Sequence, residues 1–182
     1  MSATGSGALT HVGTNELEVV EFFVDDRPYV INVAKVREII RPQVAMPVPG
    51  SHPTVLGLFR NREEVLPLVD LGKWLRAETD LDAGQAKIIA TEFNGNRVGF
   101  LVHRMSRIHR GSWADLETPG SDSMATSRST LGFMRLGRTS GEPERIALVL
   151  DFERIVAELM GTCFSEPTAV GASDGGGRIG SC

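Results

Sequence analysis

The sequence predicts a mainly β protein made of two similar small lobes. Each lobe is a closed or nearly closed barrel of about five short strands, with short helices that include a C-terminal one. Three observations carry this. Apolar runs of strand length alternate with turn chemistry along most of the chain. A shift of 69 residues lays Val19 to Ile39 over Ile88 to Ile108 without a gap. A strand that ends in aspartate before an apolar helical stripe occurs twice, as Val69-Asp70-Leu71 with Trp74 and Leu75, and as Leu150-Asp151-Phe152 with Ile155 and Val156. Lobes this small depend on a shared interface for their stabilising burial.

Residues 1–15 are small and polar and predict a loose leader. Val19, Val20, Phe22, Phe23 and Val24 predict a strand, Asp25 to Pro28 a turn, and Tyr29 to Val33 the returning strand. Val33, Val36, Ile39 and Ile40 recur at helical spacing and predict a short helix or helical turn from about Ala34. Pro42, Pro47, Pro49 and Pro53 keep the next stretch extended or turned. The runs Val55 to Phe59 and Val65 to Val69 then form a hairpin, with Arg60-Asn61-Arg62-Glu63-Glu64 at its tip. Asp70 ends the second strand and caps a short helix. Residues 76–85 are polar and acidic, a connector.

The repeat begins at Lys87. Its hairpin turn, Asn94-Gly95, suits the tight type I′ geometry. Residues 111–128 read as loop, with one helical turn at Trp113 to Leu116 and a break at Pro119-Gly120-Ser121. Leu131 to Leu136 and Arg145 to Leu150 flank a longer hairpin loop. Asp151 to Met160 predicts a helix, with Phe152, Ile155, Val156, Leu159 and Met160 on one stripe and Gly161 at the C′ position. By this reading, lobe one covers about 17–75 plus the last helix, and lobe two about 85–150. Residues 162–182 predict a flexible tail.

The totals exclude several classes. Of the 182 residues, 41% are hydrophobic and 23% charged, the make-up of a soluble globular protein. No apolar run reaches a membrane span, and the N-terminus has neither the basic start nor the apolar core of a signal peptide. The two cysteines, Cys163 and Cys182, make no disulfide framework, so a reducing cytoplasm is the default. A net charge of −4 argues against nucleic acid as the main partner.

No catalytic constellation stands out. Asp70 and Asp151 are explained as helix caps, and Gly175-Gly176-Gly177 precedes no helix, so it is no phosphate loop. His103 and His109 lack the further ligands a metal needs, and no cofactor is expected. Arg97, Arg104, Arg107 and Arg110 form an acid-free basic stretch with these histidines. It reads as a solvated strand edge that discourages aggregation, or as a contact for an acidic partner surface.

Val36-Arg37-Glu38-Ile39, His52-Pro53-Thr54-Val55-Leu56-Gly57, Arg62 and Val65-Leu66-Pro67-Leu68-Val69-Asp70-Leu71 resemble the CheW-like coupling domain of bacterial chemotaxis. Gly13 to Glu18, Gly99-Phe100-Leu101-Val102-His103 and Ser112-Trp113 are more like the coupling domain of CheV proteins. The resemblance runs from Thr14 to about Gly161 and implies a coupling domain over 16–161. It implies two SH3-like five-stranded barrels around a shared hydrophobic centre, and a non-catalytic scaffold. The expected partners are the chemoreceptor cytoplasmic tip, docking as a helical hairpin between the barrels, and the regulatory domain of the histidine kinase CheA. The expected location is the cytoplasm, at receptor arrays on the inner face of the membrane, without membrane insertion.

The partner-binding residues implied by the resemblance are Val36, Glu38, Gly57, Arg62 and Val65, with Glu38 and Arg62 read as a charged pair that positions the surface. The family's tip reads Asn-Leu-Arg-Gly. Here its Asn, Leu and Gly are replaced, so either the tip is reshaped or Asn61 takes the left-handed conformation. CheV proteins carry a receiver domain after the coupling domain, and about 20 residues follow the last helix here, fewer than a domain needs. A reading from another class is a generic SH3-like barrel that binds RNA or a peptide. It requires a basic, aromatic-lined face, which one tyrosine, two tryptophans and an acidic total make hard to build.

Overall fold

Val19 to Val24, apart from Glu21, is a run that is apolar on both faces, and such runs become central strands. In the computed structural model, residues 16–118, 129–137 and 143–163 are described. The expected leader, the break at Pro119, most of the long hairpin loop and the tail lie outside them.

The elements are β1 (Glu16–Val24), β2 (Arg27–Asn32), β3 (Val36–Ile40), β4 (Val55–Asn61), β5 (Glu64–Asp70), α1 (Leu71–Leu75), β6 (Lys87–Phe93), β7 (Asn96–Val102), β8 (Arg104–Ser112), β9 (Leu116–Glu117), β10 (Thr130–Leu136), β11 (Arg145–Leu150) and α2 (Phe152–Cys163). They form two sheets. One has the order β8-β1-β2-β11-β10-β9, the other β3-β6-β7-β5-β4. The mainly β, two-lobed prediction holds.

The division between lobes does not follow the sequence halves. β3 pairs with β6 and β8 pairs with β1, so each repeat hands its third strand to the other repeat's hairpin. The parallel pairs β5/β7 and β11/β2 complete the exchange. The expected lobe one, 17–75, therefore lacks the two central strands of its sheet. The physical reason is burial. One face of the β1–β2 hairpin lines its own lobe through Leu17, Val19 and Val30, and the other packs against the second lobe through Val20, Phe22, Tyr29 and Ile31.

The 69-residue repeat is present in the register. Ile39 lies opposite Ile89, and Ile108 lies opposite Val20. Both ladders carry a bulge at the matching place, between Val36 and Glu38 and between Val20 and Phe22. The hairpins β4–β5 and β10–β11 match as well, each with a bulge at a glycine, Gly57 and Gly132. Asn94 and Gly95 take φ of 49° and 82°, the sign pattern of the predicted type I′ turn.

The helical turn expected from about Ala34 is present, but a strand follows it, and the end of α2 changes. Val33–Lys35 is a single 3-10 turn, and Val36–Ile40 is a strand whose burial alternates with period two. Its β-branched residues favour extension, and the free edge of β6 offers backbone partners. α2 continues past Met160 to Cys163, so Gly161 sits inside the last turn rather than at C′. The helical turn expected at Trp113 is present as a 3-10 turn over Trp113–Asp115, whereas the residues on either side, read as loop, supply the end of β8 and β9, drawn out by pairing with β1 and β10.

Both aspartates cap as expected. Asp70 accepts from the Lys73 amide at 3.0 Å, and Asp151 from the Arg154 amide at 3.0 Å. The inter-lobe core is centred on Phe152 of α2, fully buried, whose ring meets Phe100 edge-on at 4.8 Å and Phe22 at 6.0 Å. Each buried side chain of this size contributes about 1.5–3 kcal/mol.

Candidate partner-binding surface

β3 and β4 are the two edges of the five-stranded sheet. Glu38 on β3 nevertheless reaches the β4–β5 tip, where its carboxylate accepts from Asn61 Nδ2 at 2.7 Å and from Arg62 Nη2 at 3.1 Å. Two edges joined by side-chain bonds mean that the sheet is rolled into a barrel with a stapled seam. The sequence reading paired Glu38 with Arg62, and the structure brings them together.

Asn61 is the partner that reading missed. It does not take the left-handed conformation; Arg62 does, at φ 55°. Asn61 is the last paired residue of β4, opposite Glu64, and its amide is committed to Glu38. The following residue therefore makes the turn.

The same end of the barrel carries a chain of ion pairs. Arg37 on β3 bonds Glu92 on β6, Glu92 bonds Arg97 on β7 at 3.2 Å, and Arg97 bonds Glu64 on β5. The Arg37 bond, ahead of the other contributions, holds the Glu92 carboxyl below its ordinary value, and Glu64 raises the Arg97 guanidinium. With the Glu38 staple, charge runs around the whole mouth. Sequence alone could not find this chain, because each link joins strands whose register is set by the fold.

Val36 is half-buried and packs against the inter-lobe core, while Val65 is 62% exposed and Ile39 44% exposed. Gly57 is buried under the surface rather than part of it. Its φ is 138°, and a Cβ there would lie 2.0 Å from the Met46 carbonyl oxygen, so it serves the bulge that lets residue 46 bridge to Leu58. Beside the hairpin lies an apolar groove of about 240 Å³, with walls of Val55, Leu58 and Pro67 on one side and Val156, Leu159 and Met160 of α2 on the other. An apolar concavity walled by a helix and a hairpin suits a protein helix better than a small polar substrate.

The interior of the six-stranded lobe is partly polar. Glu21 is fully buried, and Arg145 grips its carboxylate with two bonds of 2.8 Å while His109 Nε2 lies 3.0 Å away. Burial alone would raise the Glu21 pKa. The bonds from Arg145, His109 and Ser106 outweigh it and hold the carboxyl at about 2. No helix among the described residues is long and apolar enough to cross a membrane.

The sequence model of the CheW-like domain matches residues 18–160. The chain belongs to the CheW-like family. Chemotaxis protein CheV3 of Helicobacter pylori is 38% identical over 154 residues, covering 80% of this chain and 49% of that protein. The chain thus spans about half the length of CheV3. Chemotaxis protein CheW of Thermotoga maritima is 27% identical over 144 residues, covering 79% of this chain and 90% of that protein. Among solved structures, the scaffolding protein TtCheW of Thermoanaerobacter tengcongensis superposes with a TM-score of 0.65 at 16% identity, over 74% of this chain and 88% of that one. This likeness concerns the fold. The CheW-like domain is thus shared with proteins named for chemotaxis.

Proposed function

We propose that this chain couples chemoreceptor cytoplasmic tips to the regulatory domain of the histidine kinase CheA, at receptor arrays on the inner face of the membrane. The observation that carries the reading is the stapled seam. Glu38, Asn61 and Arg62 fix the barrel mouth, so Val36, Ile39 and Val65 are offered in one geometry rather than many. A preformed surface binds without first losing side-chain entropy.

The apolar groove beside α2 is assigned to the receptor's helical hairpin, and the mouth of the five-stranded barrel, with Val36, Glu38, Arg62 and Val65, to the partner contacts. Apolar burial supplies affinity, and the ring of charges supplies register. Gly57 acts here as the bulge that shapes the surface.

The mechanism is geometric. Two partners held in a fixed relation let a change at the receptor alter kinase activity, with no bond made or broken on the scaffold. The test is capture of purified receptor fragment and CheA by immobilised chain. Glu38→Ala and Arg62→Ala each weaken capture of a partner about tenfold or more, the range of a good interface residue, while circular dichroism stays unchanged. Capture at wild-type strength by both variants removes the site assignment.

A further inference from the structure

The matching registers let the seams of the two lobes be compared residue by residue. In the six-stranded lobe the strands that correspond to β3 and β4 are β8 and β10. Ile108 corresponds to Ile39, and Arg135, opposite Ile146, corresponds to Arg60, opposite Val65. Glu38, Asn61 and Arg62 therefore correspond to Arg107, Leu136 and Gly137. These three cannot rebuild the staple, because Arg107 has no acceptor, Leu136 no polar side-chain atom, and Gly137 no side chain. In its place is a slot of about 510 Å³ between residues 107–111 of β8 and residues 134–137 in and just after β10.

Both walls of the slot are backbone edges. β8 is the end strand of its sheet, and β9 covers β10 only at Phe133 and Met134. Among the described residues, no strand pairs with β8 on its slot side or with β10 beyond Met134.

We propose that this slot docks an extended peptide segment of a partner protein, which adds as a strand between β8 and β10 and completes the barrel. Side-chain alternation specifies its chemistry. Met134 and Leu136 are buried in the lobe's interior, and His109 lies between the slot and Glu21. Every second residue of the added strand therefore meets Met134 and Leu136 on the β10 side and the His109 ring on the β8 side. Arg110 and Arg135 stand on the exposed outer side, Arg110 bonded to Glu18 and Arg135 to Glu117 and Glu144. A guanidinium with five donors retains N–H groups for a further carboxylate. Asp115 is the acid among the lining residues, and its Oδ2 is engaged by the Ser112 amide at 2.8 Å. The fitting segment alternates apolar and acidic residues.

The test uses the 15N-labelled full chain and two capped hexapeptides, one alternating glutamate with valine, the other lysine with valine. The acidic peptide shifts the amides of residues 107–111 and 134–137 and slows their hydrogen exchange, and the lysine peptide binds about tenfold more weakly. Arg110→Glu with Arg135→Glu, both on the surface, reverses that preference in a folded protein. The proposal is overturned by an absence of shifts up to millimolar peptide, by shifts centred on the groove beside α2, or by equal binding of the two peptides. Edge amides that already exchange slowly without peptide also overturn it, since the chain would then fill the slot itself.

Discussion

Glu21 and Glu38 are both strand carboxylates that bind an arginine, and burial separates their roles. Glu38 is 29% exposed and its Arg62 partner 80%, so their pair is worth at most about 1 kcal/mol of stability. In the proposed function its value is positional. Glu21 is fully buried, and removing it takes two charge-assisted bonds from Arg145. Glu21→Ala is expected to destabilise the chain by about 3 kcal/mol in urea unfolding, whereas replacing Glu21 and Arg145 together by Leu and Met recovers most of that loss.

The pH dependence has a definite sign. Because the folded pKa of Glu21 lies near 2, below its ordinary value of 4.5, the unfolded chain takes up the proton first. The stabilisation is complete above about pH 4.5 and is lost as pH falls toward 2. In Glu21→Gln that acid-side slope flattens, which thermal melts at stepped pH read directly. At this scale the sequence is legible only where partners are local. Asp70 and Asp151 can be recognised as caps because their amide partners lie three residues on. Glu21 and Arg145 are 124 residues apart, and no local pattern joins them.

Among the elements, the β4–β5 hairpin shows how a backbone requirement sits beneath a surface. Gly57→Ala places a methyl within 2.0 Å of the Met46 carbonyl at a positive φ. It should cost more than about 2 kcal/mol by denaturant unfolding, and partner capture should fall only in step with the folded fraction. A larger loss of capture would make Gly57 a contact in its own right. The two caps predict smaller effects, about 1 kcal/mol each for Asp70→Ala and Asp151→Ala. The hairpins and both helices were legible because their apolar period and turn residues are local. β3 was not, since Val36, Ile39 and Ile40 fit either period and the edge of β6 decides between them. Likewise Gly161 signals a helix end, yet the helix runs through it, as a single glycine costs only about 1 kcal/mol.

Because strands are exchanged between repeats, the two lobes should unfold as one cooperative unit. A fragment of residues 16–75 holds β3, β4 and β5 but neither β6 nor β7. It should show no dispersed amide spectrum on its own; a folded fragment would contradict the exchanged topology. The duplication was visible in sequence as a 69-residue shift, but the exchange was not, because a repeat pairs equally well with its own hairpin or with its copy's. The resemblance carried by the Val36 and Val55–Leu71 stretches points to the CheW-like family, and the Glu38–Asn61–Arg62 seam is where the proposed coupling role is best tested. The most direct test is co-sedimentation with membranes bearing chemoreceptor, with and without CheA. The chain should pellet with receptor-bearing membranes and retain more kinase there than membranes alone, and Glu38→Ala should leave chain or kinase in the supernatant. Wild-type chain that stays in the supernatant in both settings, or pellets equally with receptor-free membranes, would contradict the account.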